Sequence, residues 1–187
     1  PIINMIDRII GKLSIKTNLL PALLNKKLIF IPHHKAHAYA AYGATDLSKV
    51  LIITQDAYGD RESGTVFTDN GSLLKKIASQ SPGNSIARIY GIINYLLGFK
   101  EGEEGKTLAL TAYGDPFRFL DFFTQLFSFS EGKINCDNKI NLPAWFYKTV
   151  KEAARPYIYF DIAAALQYRL ETVLTVFADF WLKKTRR

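Results

Sequence analysis

The sequence is short of the residues on which small sites are often built. One cysteine, Cys136, stands in 187 residues, which excludes an internal disulfide and suits a reducing compartment. There are three histidines. No run of about 18 apolar residues is free of charge, so no membrane span is read. The opening Pro1-Ile2-Ile3-Asn4-Met5-Ile6-Asp7-Arg8 carries charge where a secretory signal needs an unbroken apolar run, and a cytoplasmic location is expected. Internal repeats and low-complexity segments are absent. What is present is a hydrophobic content of 48%, which argues against disorder and provides one domain's core.

The net charge of +7 is unevenly spread. Residues 1–50 carry seven basic and two acidic side chains, and Lys183, Lys184, Arg186 and Arg187 add four more basic ones. The body, 51–182, has 13 basic against 15 acidic side chains. A nucleic-acid binder needs a basic face. Only the two ends offer one, so nucleic acid is not an expected partner.

Hydrophobic periodicity orders the chain. Ile3, Ile6, Ile9, Ile10 and Leu13 share a helical face over 2–13, and a weakly helical connector follows over 17–27. Leu28-Ile29-Phe30-Ile31 reads as a strand stopped by Pro32. His33 to Tyr42 reads as a helix entered through Pro32 and closed by Gly43. Val50–Thr54, apolar on both faces, reads as a central strand, with a turn over Gln55–Asp60. Thr65–Thr68 and Leu73–Ala78 are two more strands, joined by the hairpin signal Asp69-Asn70-Gly71. Helices follow over 86–97 (closed by Gly98), 107–112 and 117–127, and a loop or short hairpin over 130–143. A long final helix, about 161–184, has the stripe Ile162, Leu166, Leu170, Val173, Phe177 and Trp181. The expected class is α/β (α+β), a three-strand antiparallel meander with flanking helices of the ribonuclease-H-like type. A sheet this small leaves the last helix under-used, so 1–187 is expected to be one partial domain of a longer protein.

All three histidines lie in His33-His34-Lys35-Ala36-His37-Ala38. His33 and His37, four apart, share one helix face, and two imidazoles so spaced can grip a transition-metal ion. A polar, solvent-facing cluster is the bland alternative. Asp56 follows a buried strand, either as a third ligand or as a turn residue capping its own backbone. Together the three make a two-His, one-carboxylate set with positions left for water or substrate, typical of iron, manganese or zinc. Glu101-Gly102-Glu103-Glu104-Gly105-Lys106-Thr107 runs from a glycine-containing loop into a helix. Its amides and Lys106 could meet phosphate, though it departs from the P-loop pattern and also reads as a solvated acidic loop. Ser63 reads as a loop residue and Cys136 as structural.

Three stretches, in order, resemble the carbamoyltransferase family that includes nodulation and antibiotic-tailoring enzymes. His33 to Ala38 is similar to that family's His-His-x-x-His-Ala. Asp56-Ala57-Tyr58-Gly59-Asp60 is similar to its Asp-Gly-x-Gly-Glu. Leu97-Gly98-Phe99 with Glu104-Gly105-Lys106-Thr107-Leu108-Ala109-Leu110-Thr111-Ala112-Tyr113-Gly114 is similar to its Leu-Gly-Phe … Glu-Gly-Lys-x-Met-x-Leu-Ala-x-Tyr-Gly. Asp161-Ile162-Ala163-Ala164-Ala165-Leu166-Gln167 resembles a further helix opening. The resemblance implies an actin-like (ASKHA) ATP-handling fold, with His33, His37 and Asp56 as ligands of a metal, iron before zinc or manganese. It implies transfer of a carbamoyl group from carbamoyl phosphate, through a carbamoyl-adenylate made with ATP, to an acceptor hydroxyl. Lys106 is then the expected catalytic contact to phosphate or carbamoyl oxygen, and Gly59, Glu104 and Lys106 the expected cofactor contacts. The expected partners are a small hydroxyl-bearing acceptor, the remaining portions of the enzyme, including a YrdC-type domain and a further Asp ligand, and, as an assembly, a homodimer. The alternatives are a tRNA threonylcarbamoyl-transfer-like protein and an inactive remnant kept as an interaction module.

Overall fold

The computed structural model describes residues 29, 31–71, 73–153 and 157–187. The chain divides into Pro1–Ile31 and Pro32–Arg187, and the architecture below is that of the second unit. The expected helix 2–13 and connector 17–27 lie outside the described residues. Of the expected strand 28–31 only Ile29 and Ile31 are described, and neither is in a strand.

Helix α1, His33–Gly43, begins at Pro32, whose carbonyl accepts the Ala36 N–H at 2.9 Å. Gly43 is its last residue and Ala44 its cap, so the helix runs one residue past the expected stop and uses no left-handed glycine. Strands β1 (Leu51–Gly59), β2 (Glu62–Asp69) and β3 (Leu74–Gln80) form an antiparallel sheet in that order. Among the described residues β1 is therefore an edge strand, not the central one. Its two apolar faces have another cause: helices cover both. Ile52 packs with Ala38 and Phe67 on the α1 side, while Leu51 and Ile53 pack into the larger core on the other.

The expected turn over Gln55–Asp60 is also displaced. β1 continues to Gly59, and the turn is Asp60-Arg61, with φ of 50° and 70°. Two positive φ values suit the tight hairpin of a twisted ribbon, but neither residue is the glycine or asparagine that signals one. Between Gln55↔Gly64 and Gly59↔Glu62 the register slips, leaving Asp56, Ala57 and Tyr58 opposite Ser63 alone. Such a bulge breaks the strand's alternation and re-aims its side chains. Ser63 is thus a fully buried strand residue, its hydroxyl donating to the Ser81 carbonyl at 2.7 Å, not a loop residue.

Beyond β3 the chain covers the other face of the sheet. Helix α2 (Ile86–Leu96) ends as expected at Gly98, φ 92°. Helix α3 spans Glu104–Leu110, starting three residues before its expected position, and α4 spans Leu120–Leu126. Strands β4 (Phe127–Ser130) and β5 (Lys133–Cys136) pair as a hairpin, so Phe127 leaves the helix assigned to it. Helix α5 (Leu142–Glu152) stands where the sequence reading assigns nothing. Asn141 caps it by accepting the Ala144 N–H at 3.1 Å, and Pro143 lies in its first turn. Helix α6 (Ile158–Thr185) ends the chain.

The stripe of α6 is as expected: Ile162, Leu166, Val173, Phe177 and Trp181 are buried and Leu170 partly so. It is not under-used, because the β4–β5 hairpin covers its second half. Phe129 meets Phe177 edge-on, and the Trp181 indole N–H donates to the Gly132 carbonyl at 3.2 Å. Each fully buried side chain of this size contributes about 1.5–3 kcal/mol, so this core holds the sheet against which the site is built. None of the described helices is long and apolar enough to cross a membrane.

Candidate metal centre

Helix α1 has little apolar surface to hold it to the sheet. Only His34 and Ala38 are buried. The small Ala38 lets the helix approach Ile52 and Phe67, and polar contacts fix its register. The Asp60 carboxylate accepts the His33 backbone N–H at 2.6 Å, capping a helix whose own Pro32 offers no side-chain cap. On the buried side, His34 Nδ1 lies 2.8 Å from Thr54 Oγ1, and His34 Nε2 lies 3.1 Å from the Glu62 carbonyl oxygen.

This docking turns His33 and His37 toward the bulge in β1. His33 Nε2 is 2.6 Å from Asp56 Oδ2, His37 Nε2 is 3.2 Å from His33 Nε2, and His37 Nε2 is 3.8 Å from Asp56 Oδ2. One ligand atom from each residue lies within 4.8 Å of the others. Donors bound to one ion at about 2.0–2.2 Å sit roughly 3–3.5 Å apart, so the three atoms fit a shared ion with small adjustments. Two imidazole nitrogens and a carboxylate oxygen converging this closely call for a cation or a proton between them. The second Asp56 oxygen accepts the Ala57 N–H at 2.6 Å, which fixes the carboxylate's orientation. The hydrogen bond from His33 holds the Asp56 carboxyl below its usual range; burial opposes this, and the Ala57 N–H and the charges of His33 and His37 add to it.

The triad is reachable from solvent: the His33 and His37 side chains are 38% and 57% exposed. A cavity of about 410 Å³ beside it is lined by His34, His37, Thr54, Gln55 and Asp56, among others. Gly59 has a plain part in this geometry. A Cβ there would collide with the His33 ring.

The third motif lies elsewhere in the unit. Lys106 sits on α3, exposed, with its ammonium 2.6 Å from Glu103 Oε1 and 5.9 Å from the Phe99 ring centre. Glu104 Oε1 accepts the Gly102 N–H at 3.3 Å. Among the described residues, neither side chain has a hydrogen bond or ion pair to His33, His37 or Asp56. The motif's internal clamp is Asn94, which donates to the Lys100 carbonyl at 2.8 Å and accepts from the Thr107 hydroxyl at 2.7 Å, both residues being buried. Its far end joins the fourth motif: buried Asp161 accepts the Asp115 N–H at 2.8 Å and pairs with Arg118 at 2.9 Å, and Gly114 lies directly against the Phe160 carbonyl. Sequence reasoning missed His34, Thr54, Thr65 and Asn94. Only His34, inside the histidine cluster, carried a signal.

Residues 5–184 match the family model described as carbamoyltransferase N-terminus. The chain is 28% identical over 153 residues to nodulation protein NolNO of Sinorhizobium fredii, covering 79% of the chain and 22% of that protein. It is 26% identical over 147 residues to nodulation protein NolO of Bradyrhizobium diazoefficiens, covering 76% of the chain and 27% of that protein. An uncharacterized protein of Methanocaldococcus jannaschii is 35% identical over 91 residues, covering 48% of the chain and 18% of that protein. The chain thus spans about a quarter of the length of the two nodulation proteins. With nearly its whole length matched by the family model, the chain belongs to the carbamoyltransferase family, within its N-terminal part.

Proposed function

We propose that this chain forms the metal-holding part of an enzyme that transfers a carbamoyl group to an acceptor hydroxyl, with His33, His37 and Asp56 as ligands and iron the preferred ion over zinc or manganese. The observation that carries the reading is the convergence of two imidazole nitrogens and one carboxylate oxygen within 4.8 Å, beside a cavity of about 410 Å³. The three-strand antiparallel sheet with helices on both faces is consistent with half of an actin-like, ATP-handling domain. When bound, the ion would supply Lewis acidity toward an oxygen of the donor.

The chain's own residues have narrower tasks in this reading. Gly59 leaves room for the His33 ring, and Asp60 fixes the start of the helix that carries both histidines. Asp56, held by the Ala57 N–H, presents one oxygen to the site. Lys106 on α3 contacts phosphate or carbamoyl oxygen once the rest of the enzyme brings the donor to it, and it must leave Glu103 to do so. Carbamoyl phosphate, ATP and a small hydroxyl-bearing acceptor are the proposed reactants.

The test is metal analysis of the purified chain beside its His37→Ala variant. A stoichiometric ion in the chain, lost in the variant with the helix content unchanged, supports the site. A chain that takes up neither iron nor zinc, and behaves identically after His37→Ala, would sink the reading and leave an inactive interaction module in its place.

A further inference from the structure

Between the two histidines that face Asp56 lies a third whose ring nitrogens point into the sheet. His34 is 1% exposed and touches nothing in the triad through its ring nitrogens. Its partners set the tautomer of its neutral ring. Nε2 points at the Glu62 carbonyl, which can only accept, so Nε2 carries the hydrogen. In the neutral ring, Nδ1 then accepts, and the Thr54 hydroxyl donates to it at 2.8 Å. Having spent its hydrogen there, Thr54 Oγ1 accepts from the Thr65 N–H at 3.1 Å and from the Thr65 hydroxyl at 2.7 Å. The result is a closed chain in one direction: Thr65 hydroxyl to Thr54 hydroxyl to His34, and His34 to the Glu62 carbonyl. It ties α1 to β1 and β2 at once, and Thr54 and Thr65 are themselves buried.

Its place in the fold gives this chain its importance. α1 has no fully buried large apolar side chain on the sheet: His34 and Ala38 are its only buried residues, Tyr42 packs partly buried beside Ala38, and the Tyr39 hydroxyl accepts the Leu74 N–H at 3.3 Å. A helix held by an apolar stripe can slide or roll at small cost. One held by a directional, fully satisfied buried network cannot, because each misplaced donor or acceptor would be left unpaired. The angle at which α1 meets the sheet decides whether His33 and His37 reach Asp56 together, since the two sit on the helix turn that His34 anchors, the His34 ring packing edge-on against His33 at 5.2 Å between centroids.

We infer that His34 is a positioning residue of the proposed metal site: through Thr54, Thr65 and the Glu62 carbonyl it sets the register of α1, so that His33 and His37 present their Nε2 atoms to one ion shared with Asp56. The inference rests on the metal reading above and goes beyond it by separating ligation from alignment within one pair of adjacent histidines.

The experiment uses the 187-residue chain and Co²⁺ as the probe, read by its visible d–d absorption and by titration. His34→Phe keeps the ring volume and removes both hydrogen bonds; His34→Gln keeps a donor toward the Glu62 carbonyl. His34→Phe is expected to stay folded by circular dichroism, to bind Co²⁺ on the order of tenfold more weakly, and to show a shifted absorption envelope. His34→Gln is expected to recover part of both. Should His34→Phe fail to fold, Thr65→Val, which removes the first donor of the chain at constant shape, is expected to weaken Co²⁺ binding severalfold. Folded His34→Phe, or in its place folded Thr65→Val, with wild-type affinity and spectrum would overturn the inference. His37→Ala separates the two failures: if it too binds Co²⁺ like the wild type, the metal reading itself has failed.

Discussion

The Gly59 backbone lies where only a missing side chain lets the His33 imidazole reach Asp56: a Cβ at Gly59 would overlap the ring. The collision is with the body of the imidazole and not with the end of a flexible chain, so the ring must swing away or the strand must move. Gly59→Ala is expected to destabilise the chain by about 1–3 kcal/mol, the usual range for overpacking, and to weaken Co²⁺ or Zn²⁺ binding at least tenfold. Urea unfolding and metal titration check the two effects. An alanine variant unchanged in both would show that His33 reaches Asp56 by some other arrangement.

A second prediction concerns how α1 starts. Pro32 gives the helix a suitable φ but no capping oxygen, and Asp60 supplies one from 27 residues away. Loss of an N-cap side chain typically weakens a protein by about 1 kcal/mol. Asp60 also sits at φ 50°, a region that aspartate and asparagine tolerate better than alanine. Asp60→Ala is therefore expected to lower stability by about 1–2 kcal/mol, combining both effects. Asp60→Asn, which keeps an oxygen and the left-handed preference, should lose well under half of that. Equal losses in the two variants would argue that the carboxylate charge, and not the cap, is what α1 needs.

These two residues also show where the sequence was legible. His33, His37 and Asp56 could be read as a set because helical spacing and a strand end place them without knowledge of the rest, and the geometry brings all three together. The bulge that turns Asp56 toward the helix could not be read, since Asp56 and Ala57 are uncommon in strands and the stretch reads as a turn. The Asp60-Arg61 turn lacks its usual glycine, and so the sequence points to a turn several residues too early. Val50–Thr54 looks central because burial on both faces reads alike whether helices or strands enclose it. The stripe on α6 is plain over six positions, while α5 carries only the helix-start signals Asn141 and Pro143 and no long apolar stripe of its own, with Leu142 and Phe146 its buried residues. His34 is hidden by its neighbours: a histidine beside two candidate ligands invites the same reading as they do, and only its buried partners set it apart.

Asp69 gives a pH dependence whose sign can be worked out. Burial would raise its carboxyl. The N–H groups of Lys49, Val50 and Gly71, together with the Arg187 charge, outweigh burial and hold it below its usual value. Arg187 reaches it with Nη1 at 3.6 Å from Oδ1, while Nη2 donates to the Asp69 carbonyl at 2.6 Å. A carboxyl held lower in the folded state contributes stability that is present above its unfolded value, near 3.8, and that is lost as pH falls through the folded one. Asp69→Asn is thus expected to be clearly less stable than the wild type at neutral pH, with the gap closing below about pH 4. Urea midpoints for both proteins across that window check it. Asp56 and Glu103 are shifted in the same direction, so only the difference between the two proteins isolates Asp69. A gap that stayed constant with pH would mean that the loss comes from hydrogen-bond geometry and not from charge.

The last prediction concerns the single thiol. Cys136 ends β5 half-buried, its backbone N–H donating to Asn84 Oδ1 at 3.1 Å. Burial pushes the thiol up to about 11 from 9.0, with the Arg88 charge pulling slightly the other way. Only the thiolate attacks an alkylating reagent. A rise of about two units therefore lowers the reactive fraction near pH 8 by roughly 100-fold, before any steric shielding is counted. Iodoacetamide is expected to label Cys136 at least 100-fold more slowly in the folded chain than in urea, where the thiol regains its ordinary value. The folded-state rate should keep rising tenfold per pH unit past pH 9, where an ordinary thiol levels off. A folded-state rate that instead levels off near pH 9 would place the Cys136 thiol in bulk water and contradict its partial burial against the main core. A thiol held this high is almost entirely protonated at neutral pH, which makes Cys136 a poor nucleophile there.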